Sequence, residues 1–504
     1  MFIMDFYMAA SIFANKTAAF YKGESLTYSE LDYKSSQIAA YLLHQFEGKG
    51  AVIGYYGERS IELLIAILGI WKAGASYLPI DPILPNERRR MICEESGAQL
   101  LLVDHYEEAI DFIECISIKE ILFNQKWESG AKINISNEQC DDIAYIIFTS
   151  GTTGVPKGAM VTHGGMYNHL QAKKSFLHFT AETRLAQTAN IGFDISIWQL
   201  VLPLMLGATV FFVRDNEIMN LKKITGYILQ HNIQIFEIVP SYLSRWLNYL
   251  QNRNIFPCPL QYLFVTGEVF NPDLANRSVQ YFKQIKIVNA YGPAEAADDV
   301  THYILEENIH YENVPLGTSI PRMRIDILDE QKRIVPAEVK GTIYVTGVGV
   351  GKGYINDPNK TAACFIDNLI IQGSCSYDTG DTGYIGKDGL LYYCGRMNNQ
   401  VKISGHRIEL EEIEMRLQLA NNIRNAIVEA KEDLSVDKKQ LIAYVVLNHT
   451  DEIPTKKYLD RELGSTLPYY MIPKEYYICK HFSLSVNGKI DRLNVTEHII
   501  GLIK

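Results

Sequence analysis

The sequence predicts a multidomain α/β protein: a large N-terminal domain of layered α/β sheets with a β-rich subdomain, residues 1–397, then a small α+β C-terminal domain, residues 398–504. Three patterns carry that expectation. Apolar strand runs alternate with helical spacing from about residue 50 to about residue 300, as in largely parallel sheets. Residues 320–400 switch to short strands and turns. From Glu409 the order becomes helix, strand, strand, helix, which suits a compact unit of its own. The 504 residues exceed a single core of typical size, and the 47% hydrophobic content is ample for more than one.

Taken in order, Ser29 is expected to cap a helix that runs to residue 43. Residues 51–56 read as a buried strand, 60–73 as a helix stopped by Gly74, and 77–82 as an extended, proline-punctuated segment. A helix to about residue 96 and a strand over 99–103 follow. Residues 195–213 are apolar enough to mimic a membrane span. Gln199, Pro203 and Gly207 interrupt them and the last six residues read as strand, so a buried helix, a turn and a strand account for them better.

Bulk properties exclude several functions. The net charge is −10 and no basic cluster offsets it, which argues against a nucleic-acid partner. Eight cysteines are scattered without a C-x-x-C pair, so neither zinc nor a disulfide framework is indicated, and reduced thiols in a cytoplasmic protein are expected. The apolar N-terminus lacks a basic region and carries Asp5, unlike a signal peptide. No membrane partner is expected.

The chemistry concentrates at strand ends. Residues 142–148 read as a strand, followed by Thr149-Ser150-Gly151-Thr152-Thr153-Gly154-Val155-Pro156-Lys157-Gly158. Glycines let backbone N–H groups approach a ligand, and hydroxyls with a lysine suit phosphate oxygens. The spacing is not that of a Walker A loop, because Lys157 is followed by Gly158. Composition alone leaves a polyphosphate loop and a Gly/Thr surface turn both open. Val161-Thr162-His163 opens a helix to residue 177, and helix N-termini favour anions. His163 itself is either structural or ligand-facing.

Asp194 in Phe193-Asp194-Ile195-Ser196-Ile197-Trp198 either caps the helix that follows or pairs with a substrate ammonium. Residues 263–268 and 287–295 are strands ending in glycine turns, where α/β proteins bind ligands. There Tyr291 can offer a ring to a purine and Glu295 a carboxylate to Mg²⁺, against the alternative of a plain Gly-Pro turn. Gly347 to Gly353 lacks nucleotide-loop spacing and reads as a strand-edge loop. Asp381 can accept two vicinal ribose hydroxyls. Asn398-Asn399 permits a hinge turn. Lys489, after Asn487-Gly488, reads on its own as an exposed surface lysine.

Residues 149–158 closely resemble the signature loop of the AMP-forming adenylating enzymes: acyl-CoA synthetases, luciferases and the adenylation domains of nonribosomal peptide synthetases. Residues 26–31, 63–82, 193–198, 289–295, 377–381, 395–409 and 487–492 resemble further core motifs of the peptide-synthetase domains, in order, so the resemblance spans nearly the whole chain. It implies an amino acid activated with ATP and Mg²⁺ as its aminoacyl-AMP. The aminoacyl group then passes to a phosphopantetheinylated carrier protein, expected in trans from a free-standing enzyme.

By the same resemblance, Thr149, Ser150, Gly151, Thr152, Thr153, Gly154 and Lys157 bind phosphates, and Lys157, Glu295 and Lys489 are catalytic, with Glu295 the metal ligand. Asn289, Ala290, Tyr291, Gly292, Asp381, Tyr393 and Arg396 bind the nucleotide. Asp194 takes the substrate ammonium, Asn398 is the hinge of a mobile C-terminal domain, and Ile195, Trp198, Ile238, Phe264, Thr266, Ala290, Asp298 and Asp299 line the substrate pocket, which Lys489 also reaches. Trp198 and Phe264 are expected to shorten that pocket, and Thr266 and Asp299 to offer polar partners. A small polar α-amino acid is therefore expected, serine-like or a short diamino acid. Two departures stand out: Ala294 where the family has threonine, and Asn398 where it has aspartate. The alternatives are a D-alanine–carrier protein ligase, an acyl-CoA synthetase, and a non-catalytic adenylate-binding scaffold.

Overall fold

The computed structural model describes residues 1–46, 50–104, 110–127, 140–151, 155–257, 259–368, 374–397, 399–433, 438–449, 452–483 and 492–504. The chain divides into two compact units. The first comprises Met1–Pro82, Cys93–Ile147 and Gly158–Met397; the second comprises Ile83–Ile92, Phe148–Lys157 and Asn398–Lys504.

Among the described residues of the first unit, one sheet has nine strands. Their order is Thr318–Ser319, Thr301–Ile304, Lys286–Tyr291, Tyr262–Val265, Ile235–Ile238, Arg184–Gln187, Thr209–Phe212, Thr17–Tyr21, Glu24–Thr27. The inner pairings are parallel and those at both edges antiparallel. Inner strands such as Tyr-Leu-Phe-Val at 262–265 are buried at every position, as a sheet covered on both faces requires. A second, parallel-rich sheet orders Cys115–Ser117, Leu100–Val103, Val52–Tyr56, Ser76–Ile80, Ile143–Thr149 and Lys157–Thr162.

Helices Ile61–Lys72 and His163–Leu177 share one core with both sheets. Ser60 caps the first by accepting the Leu63 N–H, and Thr162 caps the second through Gly165 N–H. The apolar N-terminus folds as the helix Phe2–Ile12, and Phe2 meets the edge of Trp71 at 5.4 Å. Residues 195–213 form the helix Ile195–Val201, a 3₁₀ turn Pro203–Leu206 and the strand Thr209–Phe212. Among the described residues no helix is long and apolar enough to cross a membrane.

One expected cap is corrected. The helix begins at Tyr28, not after Ser29, and its cap is Thr27. Thr27 accepts the Glu30 N–H while the Glu30 carboxylate accepts the Thr27 N–H at 2.8 Å, a reciprocal pair that needs an acid three residues after the cap. Ser29 also has an acid three positions on, Asp32, but the helix has already begun at Tyr28, and the Ser29 hydroxyl lies 3.2 Å from Thr27 Oγ1 instead of capping.

A five-stranded, antiparallel sheet holds Met323–Leu328, Gly341–Gly347, Phe365–Asp367, Cys375–Ile385 and Leu391–Arg396. The glycine loop after residue 347 follows Gly341–Gly347, which pairs on one side with Met323–Leu328 and on the other with Cys375–Ile385. Lys352 N–H donates to Met160 O, Met160 N–H to Gly353 O and Gly351 N–H to Glu295 O, so this loop braces other backbone.

In the second unit, Gln400–Ile403 and His406–Glu409 form a hairpin whose two turn residues, Ser404 and Gly405, both have positive φ, the turn that matches strand twist. Strands Ile423–Asp433, Lys438–Leu447, Glu475–Cys479 and Ile499–Leu502 make a four-stranded sheet. Helices Leu410–Leu419 and Lys456–Gly464 share with it a core built on Ile413, Leu417, Val445, Leu459 and Tyr476.

Candidate active site

In the first unit the candidate residues gather at the carboxyl ends of the parallel strands of the nine-stranded sheet, where Ile238, Phe264, Thr266, Ala290 and Tyr291 end or follow their strands. The Tyr291 hydroxyl donates to Asp381 Oδ2 at 2.7 Å, and Asp381 Oδ1 pairs with Arg396 Nε at 2.9 Å. Arg396 also donates to Thr379 O at 2.8 Å. Tyr393 lies on the same strand as Arg396, and burial, then the Asp381 charge, push its phenol above the ordinary range. The expected nucleotide residues Tyr291, Asp381, Tyr393 and Arg396 thus form one connected group. Asn289 is turned aside and donates to Pro315 O at 2.7 Å.

Gly292 is required by close approach: a Cβ there would lie 1.7 Å from Asp298 O. Glu295 is 1% exposed and accepts the Tyr354 hydroxyl at 2.7 Å, so it is not the solvated glutamate of a plain turn. His163 is buried against Trp71, ring centroids 5.7 Å apart.

Asp194 precedes the helix Ile195–Val201 and accepts the Ile195 N–H at 3.0 Å. Its carboxylate remains half-buried, and its charge helps raise both Tyr145 and Asp298. Trp198 and Phe264 are fully buried and pack 5.6 Å apart. The Thr266 hydroxyl donates to Ala290 O at 3.0 Å, so its hydrogen is committed to backbone and acceptor lone pairs remain.

The two aspartates correct an expectation. Asp299 does not stand open as a polar partner: Lys173 Nζ lies 2.6 Å and His302 Nε2 3.2 Å from its Oδ2. Lys173, from the helix His163–Leu177, also sits over the rings of Trp198 and Phe264, at 4.0 and 4.2 Å from their centroids. Burial disfavours the Lys173 charge, but Asp299, Glu237 and Asp298 more than restore it, and its pKa is raised. Burial likewise opposes the Asp299 charge, yet Lys173, His169 and His302 hold that carboxyl well below its usual range. Burial, with Asp299 and Asp194 beside it, pushes Asp298 well above its usual range. Glu237, accepting from Trp198 Nε1 at 3.0 Å and Gln199 Nε2 at 2.9 Å, is raised by burial to about 7.

His169, Asp299 and His302 have metal-ligand spacing, their donor atoms lying within 4.8 Å of one another. Burial lowers both histidines, His169 to about 4, and the ammonium of Lys173 is the cation on their shared carboxylate.

In the second unit, Thr149 ends the strand Ile143–Thr149, and Ser150 and Lys157 are buried. A Cβ on Gly151 would meet Val155 O at 1.8 Å, so the loop closes on a glycine. Its donors are held by carboxylates. Lys157 Nζ lies 3.0 Å from Glu409 Oε1, and Gly151 N–H donates to Glu412 Oε2 at 3.1 Å. Ser150 Oγ donates to Arg407 O at 2.9 Å and accepts the Glu409 N–H at 3.1 Å. These carboxylate oxygens have the chemistry of phosphate oxygens. Thr152, Thr153, Gly154, Asn398 and Lys489 lie outside the described residues.

Motif reading missed Lys173, Glu237, Glu409 and Glu412. A signal existed for the first two. Lys173 falls in phase with Met166, Leu170 and Leu177 on an apolar helix face, and Glu237 interrupts the apolar strand Ile235–Ile238.

A family model described as AMP-binding enzyme matches residues 6–355. Gramicidin S synthase 1 of Brevibacillus brevis is 33% identical over 486 residues, 96% of this chain and 43% of that protein. The chain spans less than half the length of the curated relatives it matches. Two solved structures show the fold. PA1221, a protein of nonribosomal peptide synthesis with adenylation and PCP domains, has a TM-score of 0.87 at 23% identity, over 98% of this chain and 83% of its own. The o-succinylbenzoate CoA synthetase of Bacillus subtilis also scores 0.87, at 21% identity over 99% of each chain. The chain belongs to the family of AMP-binding enzymes: it is an AMP-forming ligase, close to the adenylation domains of nonribosomal peptide synthetases.

Proposed function

We propose that the chain activates a small polar α-amino acid, serine-like or a short diamino acid, with ATP and Mg²⁺, and passes it to the phosphopantetheine thiol of a carrier protein supplied in trans. The observation that carries this reading is Asp194, a carboxylate at strand ends that also hold the Tyr291–Asp381–Arg396 group and the buried Trp198 and Phe264. A carboxylate there suits an α-ammonium and repels a simple fatty acid. A reducing cytoplasm suits the chain's scattered cysteines, which form no C-x-x-C pair.

The substrate carboxylate attacks the α-phosphorus of ATP, and the bond to the bridging oxygen breaks as pyrophosphate leaves. The carrier thiol, losing its proton, then attacks the acyl carbon, and the bond to AMP breaks. The partners of the first step are both anionic, so positioning and charge neutralisation dominate. Lys489 bridges carboxylate and phosphate oxygens, while residues 149–154 and Lys157 hold the departing phosphates. Tyr291 faces the adenine; Asp381 and Arg396 hold ribose and phosphate. Glu295, a buried carboxylate oriented by Tyr354, fits a cation that takes one or two carboxylates besides phosphate oxygens; it would hold Mg²⁺, which would supply charge neutralisation for the phosphates. Rotation about Asn398 presents the adenylate to the thiol.

ATP–pyrophosphate exchange across amino acids, D-alanine, aryl acids and fatty acids tests this. Exchange is expected with a small polar amino acid, and Lys489→Ala should lower it by roughly 10²–10³. Loading of a separately added holo-carrier checks the second step. Exchange confined to fatty or aryl acids, or to D-alanine, overturns the reading, as does full exchange by Lys489→Ala.

A further inference from the structure

Five ionisable side chains, Lys173, Glu237, Asp298, Asp299 and His302, are all at least nine-tenths buried at the strand ends beside Asp194. Most surface lysines only solvate a face; Lys173 is 0% exposed. Its ammonium lies at the meeting point of three residues expected to read the substrate: Trp198, Phe264 and Asp299. One N–H is spent on Asp299, and the rest of the charge faces the two rings. Around it, Glu237 Oε1, Asp298 Oδ2 and Asp299 Oδ1 are buried without a hydrogen-bond partner. Each such buried atom calls for a partner, and a polar substrate group beside Asp194 can supply one.

We propose that Lys173 is a specificity-determining residue, an internal cation that cancels Asp299 and selects a short, uncharged, oxygen-bearing side chain, a hydroxyl or small amide, while rejecting a diamino acid. The inference rests on the amino-acid activation proposed above and decides between its two substrate classes. Two physical arguments support it. The lysine stem crosses from the helix His163–Leu177 to the aromatic pair and occupies length that a longer substrate side chain would need. Its charge also opposes a second ammonium. Two carboxylates with no internal cation would attract such a group; with Lys173 in place Asp299 is already matched, and Asp298, whose Oδ2 is buried without a hydrogen-bond partner, is a carboxyl that burial disfavours as an anion.

The test is pyrophosphate exchange with serine, asparagine, 2,3-diaminopropionate, ornithine and phenylalanine, on the wild type, Lys173→Met and the double variant Lys173→Met/Asp299→Asn. The wild type should prefer serine or asparagine to 2,3-diaminopropionate by at least tenfold in kcat/KM. Lys173→Met keeps the volume but uncovers Asp299, and should shift that ratio at least tenfold toward the diamino acid. The double variant, neutral again, should lose the shift and supplies a folded comparison if the single variant unfolds. A purely structural lysine would lower all substrates in proportion. Ratios within twofold of wild type in both variants, or a wild type that uses 2,3-diaminopropionate as well as serine, overturn the proposal while leaving amino-acid activation standing. A wild type that exchanges with no amino acid sinks the activation itself.

Discussion

Two buried lysines, each paired with a carboxylate, differ in what surrounds them. Lys173 and Asp299, in the first unit, are essentially inaccessible and lie against aromatic faces. Lys157 and Glu409, in the second, sit among groups that can change partners: the Ser150 hydroxyl, the Gln400 amide at 2.6 Å from Glu409, and the Gly151 N–H on Glu412. Around the pair buried against rings the carboxylate's remaining neighbours are imidazoles, His302 at 3.2 Å and His169 at 3.8 Å, whose own charge burial disfavours. A pair set in a net of donors can trade one anion for another, and phosphate oxygens offer the same acceptor chemistry. Two buried lysine–carboxylate pairs, at 2.6 and 3.0 Å, thus sit in surroundings of different chemistry, aromatic faces in one place and a net of polar donors in the other.

The largest effect expected from breaking this contrast is on stability. Lys173→Ala should destabilise the fold by about 3–5 kcal/mol in urea titration, because Asp299 is left charged and buried. Lys157→Ala should cost less, about 1–2 kcal/mol, since Glu409 keeps Gln400 and its backbone ties. Equal losses at the two sites would erase the distinction.

The next effect is on turnover. Lys157→Ala should lower pyrophosphate exchange by roughly 10², with the loss greater at low ATP. Unchanged exchange would mean that this lysine belongs to Glu409 alone.

The smallest effect sharpens the electrostatics around Lys173. Burial raises Glu237 to about 7, so between about pH 4.5 and 7 the folded protein holds a proton that the unfolded chain has released, and this contribution to stability fades as pH rises. His169, lowered to about 4, acts in the opposite sense: between about pH 4 and 6.5 the unfolded chain binds the extra proton, and stability grows with pH. The two largely offset. Glu237→Gln removes the falling contribution, so stability should rise between pH 5 and 7 by about 2 kcal/mol more than in wild type, read from melting at each pH. An identical slope in both proteins would show that Glu237 is ionised throughout.

Most of the architecture is legible in the sequence because local patterns and tertiary burial agree. The helix from His163 to Leu177 and the helix–turn–strand of residues 195–213 follow from periodicity and from Pro203 and Gly207. The misplaced cap at Ser29 shows the limit of judging a capping residue from sequence: Thr27 and Ser29 both have an acid three positions on, Glu30 and Asp32, and it is the Thr27–Glu30 pair that closes. In the site, the residues that motifs name were found as names, but not their states. Asp298 and Asp299 read alike as adjacent aspartates; one carboxyl is pushed well above its usual range and the other held well below it, because a lysine more than a hundred positions earlier reaches only one of them closely. A linear motif records identities, whereas protonation is set by distance and burial.

The turn that carries those aspartates has a further consequence. Ala297 and Asp298 have φ of 62° and 76°, and the chain there folds back until Asp298 O would touch any Cβ at Gly292. Left-handed backbone favours glycine, asparagine and aspartate and disfavours β-branched residues. Anyone redirecting this enzyme by randomising position 298 would find the genetic alphabet already shortened by main-chain shape. Asparagine should be accepted at little cost to folding, while valine or isoleucine should strain a loop shared with the nucleotide motif and so register as poor ATP use before any new substrate is tried.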